Sequence, residues 1–86
     1  MSFPINFSLR ERDLLINLLS IEREILDRLN RAEVKNDSLS ITLDIDELDI
    51  LLGAIAADAN HSETKKLGKE LDSLFNRVNK IYQKKL

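Results

Sequence analysis

The chain has 86 residues, no cysteine and a net charge of −2 at pH 7, which excludes a disulfide framework, a thiolate metal site and a generally basic surface for nucleic acid. This length predicts a single domain over residues 1–86. Only two glycines and one proline occur, and the abundance of Leu, Ile, Glu, Lys and Arg is typical of helical proteins.

The first predicted helix spans residues 8–33. Ser8 and Glu11 have the spacing of a capping box, in which each side chain accepts a hydrogen bond from the other residue's backbone N–H. One arc of the helix is apolar, and its members are Leu14, Leu15, Leu18, Leu19, Ile21, Ile25, Leu26 and Leu29. Lys35-Asn36-Asp37-Ser38 is typical of a loop and predicts the end of the helix before it.

An alternating apolar and polar segment follows at residues 39–43. Locally this pattern predicts a strand, but we find no second strand in the sequence to pair with it. We therefore expect either an extended segment that lies across the helices or an edge strand that pairs with a second subunit.

The second predicted helix spans residues 45–59 and has the clearest start signal in the chain. Asp44 and Glu47 form a second capping box, and Leu43 and Leu48 stand at the positions of a hydrophobic staple.

The third predicted helix spans residues 63–84, after a short turn. Its apolar positions alternate four and three apart, as in a coiled-coil seam, at Leu67, Leu71, Leu74, Val78 and Ile81. The three segments together predict an all-α fold, a three-helix bundle with the second and third helices antiparallel.

Helix length leaves part of this bundle uncovered. At about 1.5 Å per residue, the first predicted helix is roughly 38 Å long and the second only roughly 22 Å. The candidates for covering the exposed apolar stripe are the 39–43 segment, the apolar residues Phe3, Ile5 and Phe7, or another chain.

The second predicted helix is apolar on two sides. Opposite its core positions stand Ile50, Gly53, Ala54 and Ala57, and a helix that is apolar all round is usually buried all round. Three interpretations remain open: these four residues form a homodimer or partner interface, the chain itself covers them, or they are an exposed, alanine-rich surface without a role.

Two polar residues invite separate hypotheses. Glu22 falls within the apolar arc of the first predicted helix, so it is either a buried carboxylate that pairs with a cation or a tyrosine, or a solvated residue at the open end of the bundle. His61, the single histidine, lies in the turn before the third helix, where we expect a structural or exposed role because no second acid, base or metal ligand accompanies it.

The sequence predicts no catalytic site, metal site, cofactor or small-molecule substrate. We expect a non-catalytic protein–protein interaction or regulatory module, a homodimer or the binder of an unknown protein partner, in the cytoplasm and without a membrane segment. The alternative is a nucleic-acid-binding regulator that uses residues 63–86, which carry seven Lys or Arg against three acids.

Overall fold

The computed structural model describes all 86 residues as four helices and two strands. In chain order the elements are β1 (Ser2–Ser8), α1 (Leu9–Ile16), α2 (Arg23–Arg31), β2 (Ser38–Asp44), α3 (Ile45–Asn60) and α4 (Lys65–Lys85). The prediction of an all-α three-helix bundle is therefore wrong, because the chain combines helices with a two-stranded antiparallel sheet.

The sheet corrects the interpretation of residues 39–43. The partner of β2 is the N-terminal strand β1 of the same chain, with Ser2 opposite Asp44 and Ser8 opposite Ser38. Both strands alternate, so their apolar side chains share one face of the sheet and pack into the core. These side chains are Phe3, Ile5 and Phe7 of β1 and Leu39, Ile41 and Leu43 of β2.

The first predicted helix is also corrected, since it is broken between Ile16 and Arg23. Its capping box at Ser8 and Glu11 is confirmed. The helix ends because Asn17 donates its side-chain amide to the Asp13 carbonyl at 2.7 Å, and because an Asp58 oxygen of α3 accepts the Leu19 N–H at 3.1 Å.

The predictions for α3 and α4 agree with the structure to within two residues at each end. The Asp44 side chain accepts the Glu47 N–H at 2.8 Å, and Glu47 accepts the Asp44 N–H at 3.0 Å. This capping box joins β2 directly to α3. Residues 61–64 then reverse the chain, so that α4 packs antiparallel along α3.

One hydrophobic core contains every buried residue. Its 18 members come from all six elements and the α1–α2 loop, and none is polar or charged. The side chains able to do chemistry or recognise a partner therefore all lie at the surface. None of the helices combines the length and the apolar composition that a membrane crossing requires.

Candidate interaction surfaces

The four residues predicted to form an interface on the second helix do not share one environment in the structure. Ile50, Gly53 and Ala57 lie on the exposed side of α3, where Ile50 retains 49% of its surface and a Cβ on Gly53 would meet no atom within 4 Å. Ala54 retains 5% and belongs to the core. We call Ile50, Gly53 and Ala57 the α3 face; it is a narrow stripe with no partner in the chain.

Glu22 lies at the start of α2, and His61 lies at the end of α3. Glu22 is half-buried outside any helix, and its side chain accepts the Ile25 N–H at 3.3 Å as the N-cap of α2. It is not in an apolar arc, because the helix that would have placed it there is broken. His61 is exposed and closes α3 with a backbone hydrogen bond from its N–H to the Asp58 carbonyl.

The two strands of the sheet each have an outer edge, and the ladder fixes which backbone groups point there. In an antiparallel pair, alternate residues exchange hydrogen bonds and the others direct N–H and C=O outward. Pro4 has no N–H to exchange with Thr42, and arginines bind the carbonyls of Asn6 and Thr42 from outside. The even-numbered residues of both strands therefore point outward.

The outer edge of β1 is closed. Pro4 lacks a donor, the Asn6 carbonyl accepts a hydrogen bond from Arg77 at 2.9 Å, and the Ser8 N–H is bound by Glu11 at 2.9 Å. Arg77 also holds Glu11 through two bonds of 2.7 and 2.8 Å. Proline and inward-held charge are devices that prevent a further strand from joining a sheet.

The outer edge of β2, which we call the β2 edge, is open in its middle. At one end both backbone groups of Ser38 are bonded to Lys35 across a turn, and at the other the Asp44 N–H is bonded to Glu47. Between them no bond reaches the backbone of Ser40 or the Thr42 N–H. The Thr42 carbonyl accepts one hydrogen bond, from Arg28 at 3.0 Å.

A polar groove of about 680 Å³ runs along the β2 edge, between it and α2. Arg28 crosses the groove to Glu47 at 2.6 Å and lies 3.8 Å from Glu24. The hydrogen bond from Arg28 holds the pKa of Glu47 below its ordinary value, and Glu47 in turn raises the pKa of Arg28. Arg31, one turn further along α2, lines the groove without an ion pair.

The basic residues of α4 do not form one free surface. Lys65, Lys66 and Lys69 are exposed in the first turns of the helix. Arg77, by contrast, binds Glu11 and Asn6 and lies 5.3 Å from the centre of the Phe7 ring. Its charge is therefore directed into the chain.

The sequence did not predict the sheet, because no strand was assigned to residues 2–8, although pairing of residues 39–43 with a second subunit was one of two alternatives for that segment. The alternation of Phe3, Ile5 and Phe7 was the available signal. No cluster of three His, Cys, Asp or Glu side chains that could hold a metal is present. In comparisons with family models, curated proteins and solved structures, none matches this chain.

Proposed function

We propose that this chain is a non-catalytic protein–protein interaction module that forms a homodimer. The observation that carries the proposal is the difference between the two edges of the sheet, one closed by proline, arginine and glutamate and the other open at both backbone groups of Ser40 and at the Thr42 N–H. Backbone groups at an open edge are the donors and acceptors by which another chain adds a strand. A two-stranded sheet also gains stability when it is extended.

The α3 face is a second surface that supports the same function. Ile50 is a large apolar side chain, and the open space over Gly53 lets another backbone approach the helix closely. The face is small, however, because Ala54 is buried in the chain's own core. An interface there would need contributions from neighbouring residues to reach the area of a stable dimer.

Sedimentation equilibrium over a range of concentrations tests the proposal. We expect a species of about 20 kDa, twice the 9.9 kDa of the chain, that dissociates on dilution. Association should persist at high salt to the extent that backbone hydrogen bonds carry it. A monomer throughout, up to high micromolar concentrations, would contradict the homodimer.

The alternative of nucleic-acid binding would use the exposed lysines of α4, since Arg77 is engaged within the chain; they are Lys65, Lys66 and Lys69 near its start and Lys80, Lys84 and Lys85 towards its end. Binding by these lysines would weaken steeply with added salt. A lack of retardation of DNA and RNA at low salt, beside a dimer by sedimentation, would leave protein interaction as the function.

A further inference from the structure

The free groups of the β2 edge are complementary to a second copy of themselves. Ser40 offers an N–H and a C=O, and Thr42 offers the same pair, since its carbonyl oxygen has a second lone pair beside the one that Arg28 uses. When two such strands run antiparallel, Ser40 of each faces Thr42 of the other. Four hydrogen bonds then form and satisfy all of these groups.

Only one register of the two strands makes these bonds. A shift that places Ser40 opposite itself brings Thr42 to Ser38, whose N–H and C=O are both bonded to Lys35. The opposite shift places Thr42 opposite itself and brings Ser40 to Asp44, whose N–H is bonded to Glu47. The pairing of Ser40 with Thr42 uses three free groups in each copy and the second lone pair of the Thr42 carbonyl, which also accepts from Arg28, with the two-fold axis at Ile41.

The charges that line the groove along α2 have the order that a two-fold axis requires. The acid Glu24 precedes the unpaired Arg31 along this helix, so reversal of the helix in a second copy places unlike charges together.

The outward side chains at the edge are small and uncharged, which lets a second strand approach. Ser40 and Thr42 are exposed on the solvent face of the sheet, and the groove provides the space beside them. No proline, bulge or lysine interrupts this stretch, in contrast to the outer edge of β1.

We infer that two copies of this chain pair antiparallel through β2, with Ser40 of each opposite Thr42 of the other, to form one four-stranded sheet of order β1-β2-β2-β1. The inference rests on the proposed homodimer and names the surface that forms it. None of the residues of the α3 face lines the groove beside the β2 edge.

A pair of proline variants tests the surface. Thr42→Pro removes an open N–H from the β2 edge in each copy, and we expect the dissociation constant to rise about 30-fold, from two hydrogen bonds of typical net strength. Asn6→Pro is the matched control, because Asn6 also points its N–H outward but at the closed edge of β1. It should leave the dissociation constant within about twofold, and circular dichroism of both variants should retain the wild-type helical signal.

A third variant separates the inference from the proposed function. Gly53→Arg places a long charged side chain on the α3 face, where nothing within the chain obstructs it. If Gly53→Arg dissociates the dimer and Thr42→Pro does not, the homodimer stands and the β2 pairing is overturned. If the wild-type chain is a monomer, both are overturned.

Disulfide trapping reads the register directly, because the chain has no cysteine of its own. Residues opposite each other in a hydrogen-bonded antiparallel pair have Cα atoms about 5.5 Å apart, within the reach of a disulfide. A mixture of Ser40→Cys and Thr42→Cys chains should therefore cross-link on mild oxidation as the mixed dimer. Each variant alone should not, since two copies of residue 40 or of residue 42 lie about 8 Å apart in this register. Cross-linking of either variant alone, or the absence of the mixed product, would overturn the register.

Discussion

Arg77 joins three elements of the fold, and its removal gives the most informative test of how the sheet is held. Its guanidinium binds Glu11 of α1 at 2.7 and 2.8 Å, donates to the Asn6 carbonyl of β1 at 2.9 Å and lies over the Phe7 ring at 5.3 Å. Arg77→Met keeps the apolar stem but removes the charge and all of these donors.

The cost follows from the separate contacts. The partly exposed ion pair contributes about 0.5–1 kcal/mol, the hydrogen bond to Asn6 about 1 kcal/mol and the contact with Phe7 about 0.5–1 kcal/mol. We expect a loss of about 2–3 kcal/mol from a total that is about 4–13 kcal/mol for a chain of this length. The melting temperature should fall by roughly 10–20 °C.

Arg10→Met is the matched control. Arg10 binds Glu70 with two bonds of 2.7 Å, so it too links α1 to α4 by a bidentate ion pair, but it makes no bond to the sheet and is more exposed. Its loss should cost clearly less than the loss of Arg77, because solvent screens this exposed pair. Urea denaturation followed by circular dichroism, at one fixed protein concentration, measures both variants. Equal losses for Arg77→Met and Arg10→Met would refute the role assigned to the sheet contacts.

Three further outcomes are expected. Leu29→Ala should lower the free energy of unfolding by about 2–5 kcal/mol because Leu29 is fully buried. Leu19→Ala should change it by less than about 0.5 kcal/mol because Leu19 is 90% exposed. Equal losses in urea denaturation would instead support one continuous helix over residues 8–33. Gly53→Ala should stabilise the chain by about 0.5–1 kcal/mol, as it lies in an exposed helix interior with free space, and a lower urea midpoint would contradict this placement. The hydrogen bond from Arg28 lowers the pKa of Glu47 from its ordinary value of 4.5. This pair therefore stabilises the fold at pH values above 4.5, and its contribution is lost as the pH falls through the lowered pKa. Glu47→Gln should show a smaller fall in urea midpoint between pH 7 and pH 3 than the wild-type chain.

The helices that the sequence predicted well are those with strong local signals. The capping box of Asp44 and Glu47 and the apolar seam of α4 depend on residues within a few positions of each other, and both are present in the structure. Local geometry alone selects these elements, so no knowledge of the remaining chain was needed to place them.

The break after Ile16 has a different origin. The Leu-rich arc is compatible with one long helix, but the Asn17 side chain donates to the Asp13 carbonyl, and a distant residue, Asp58 of α3, accepts the Leu19 N–H. The restart depends on Glu22 as N-cap, a residue type outside the preferred caps. A tertiary contact and an uncommon cap therefore override the local periodicity, and Glu22 leaves the apolar arc as a result.

The sheet was missed for a related reason, and it changes where a partner is to be sought. A strand is identified by its pairing, and the partner of β2 lies thirty or more residues earlier in the chain, in a segment that contains a proline, a residue disfavoured within strands. That proline is compatible with β1 because its missing N–H falls on an outward position. The same position closes the edge of β1 and leaves β2 as the edge at which the sheet can grow. Ala54 of the predicted helix interface is buried in the core. The better candidate for an interface is therefore the β2 edge, whose free donors and acceptors match those of a second copy.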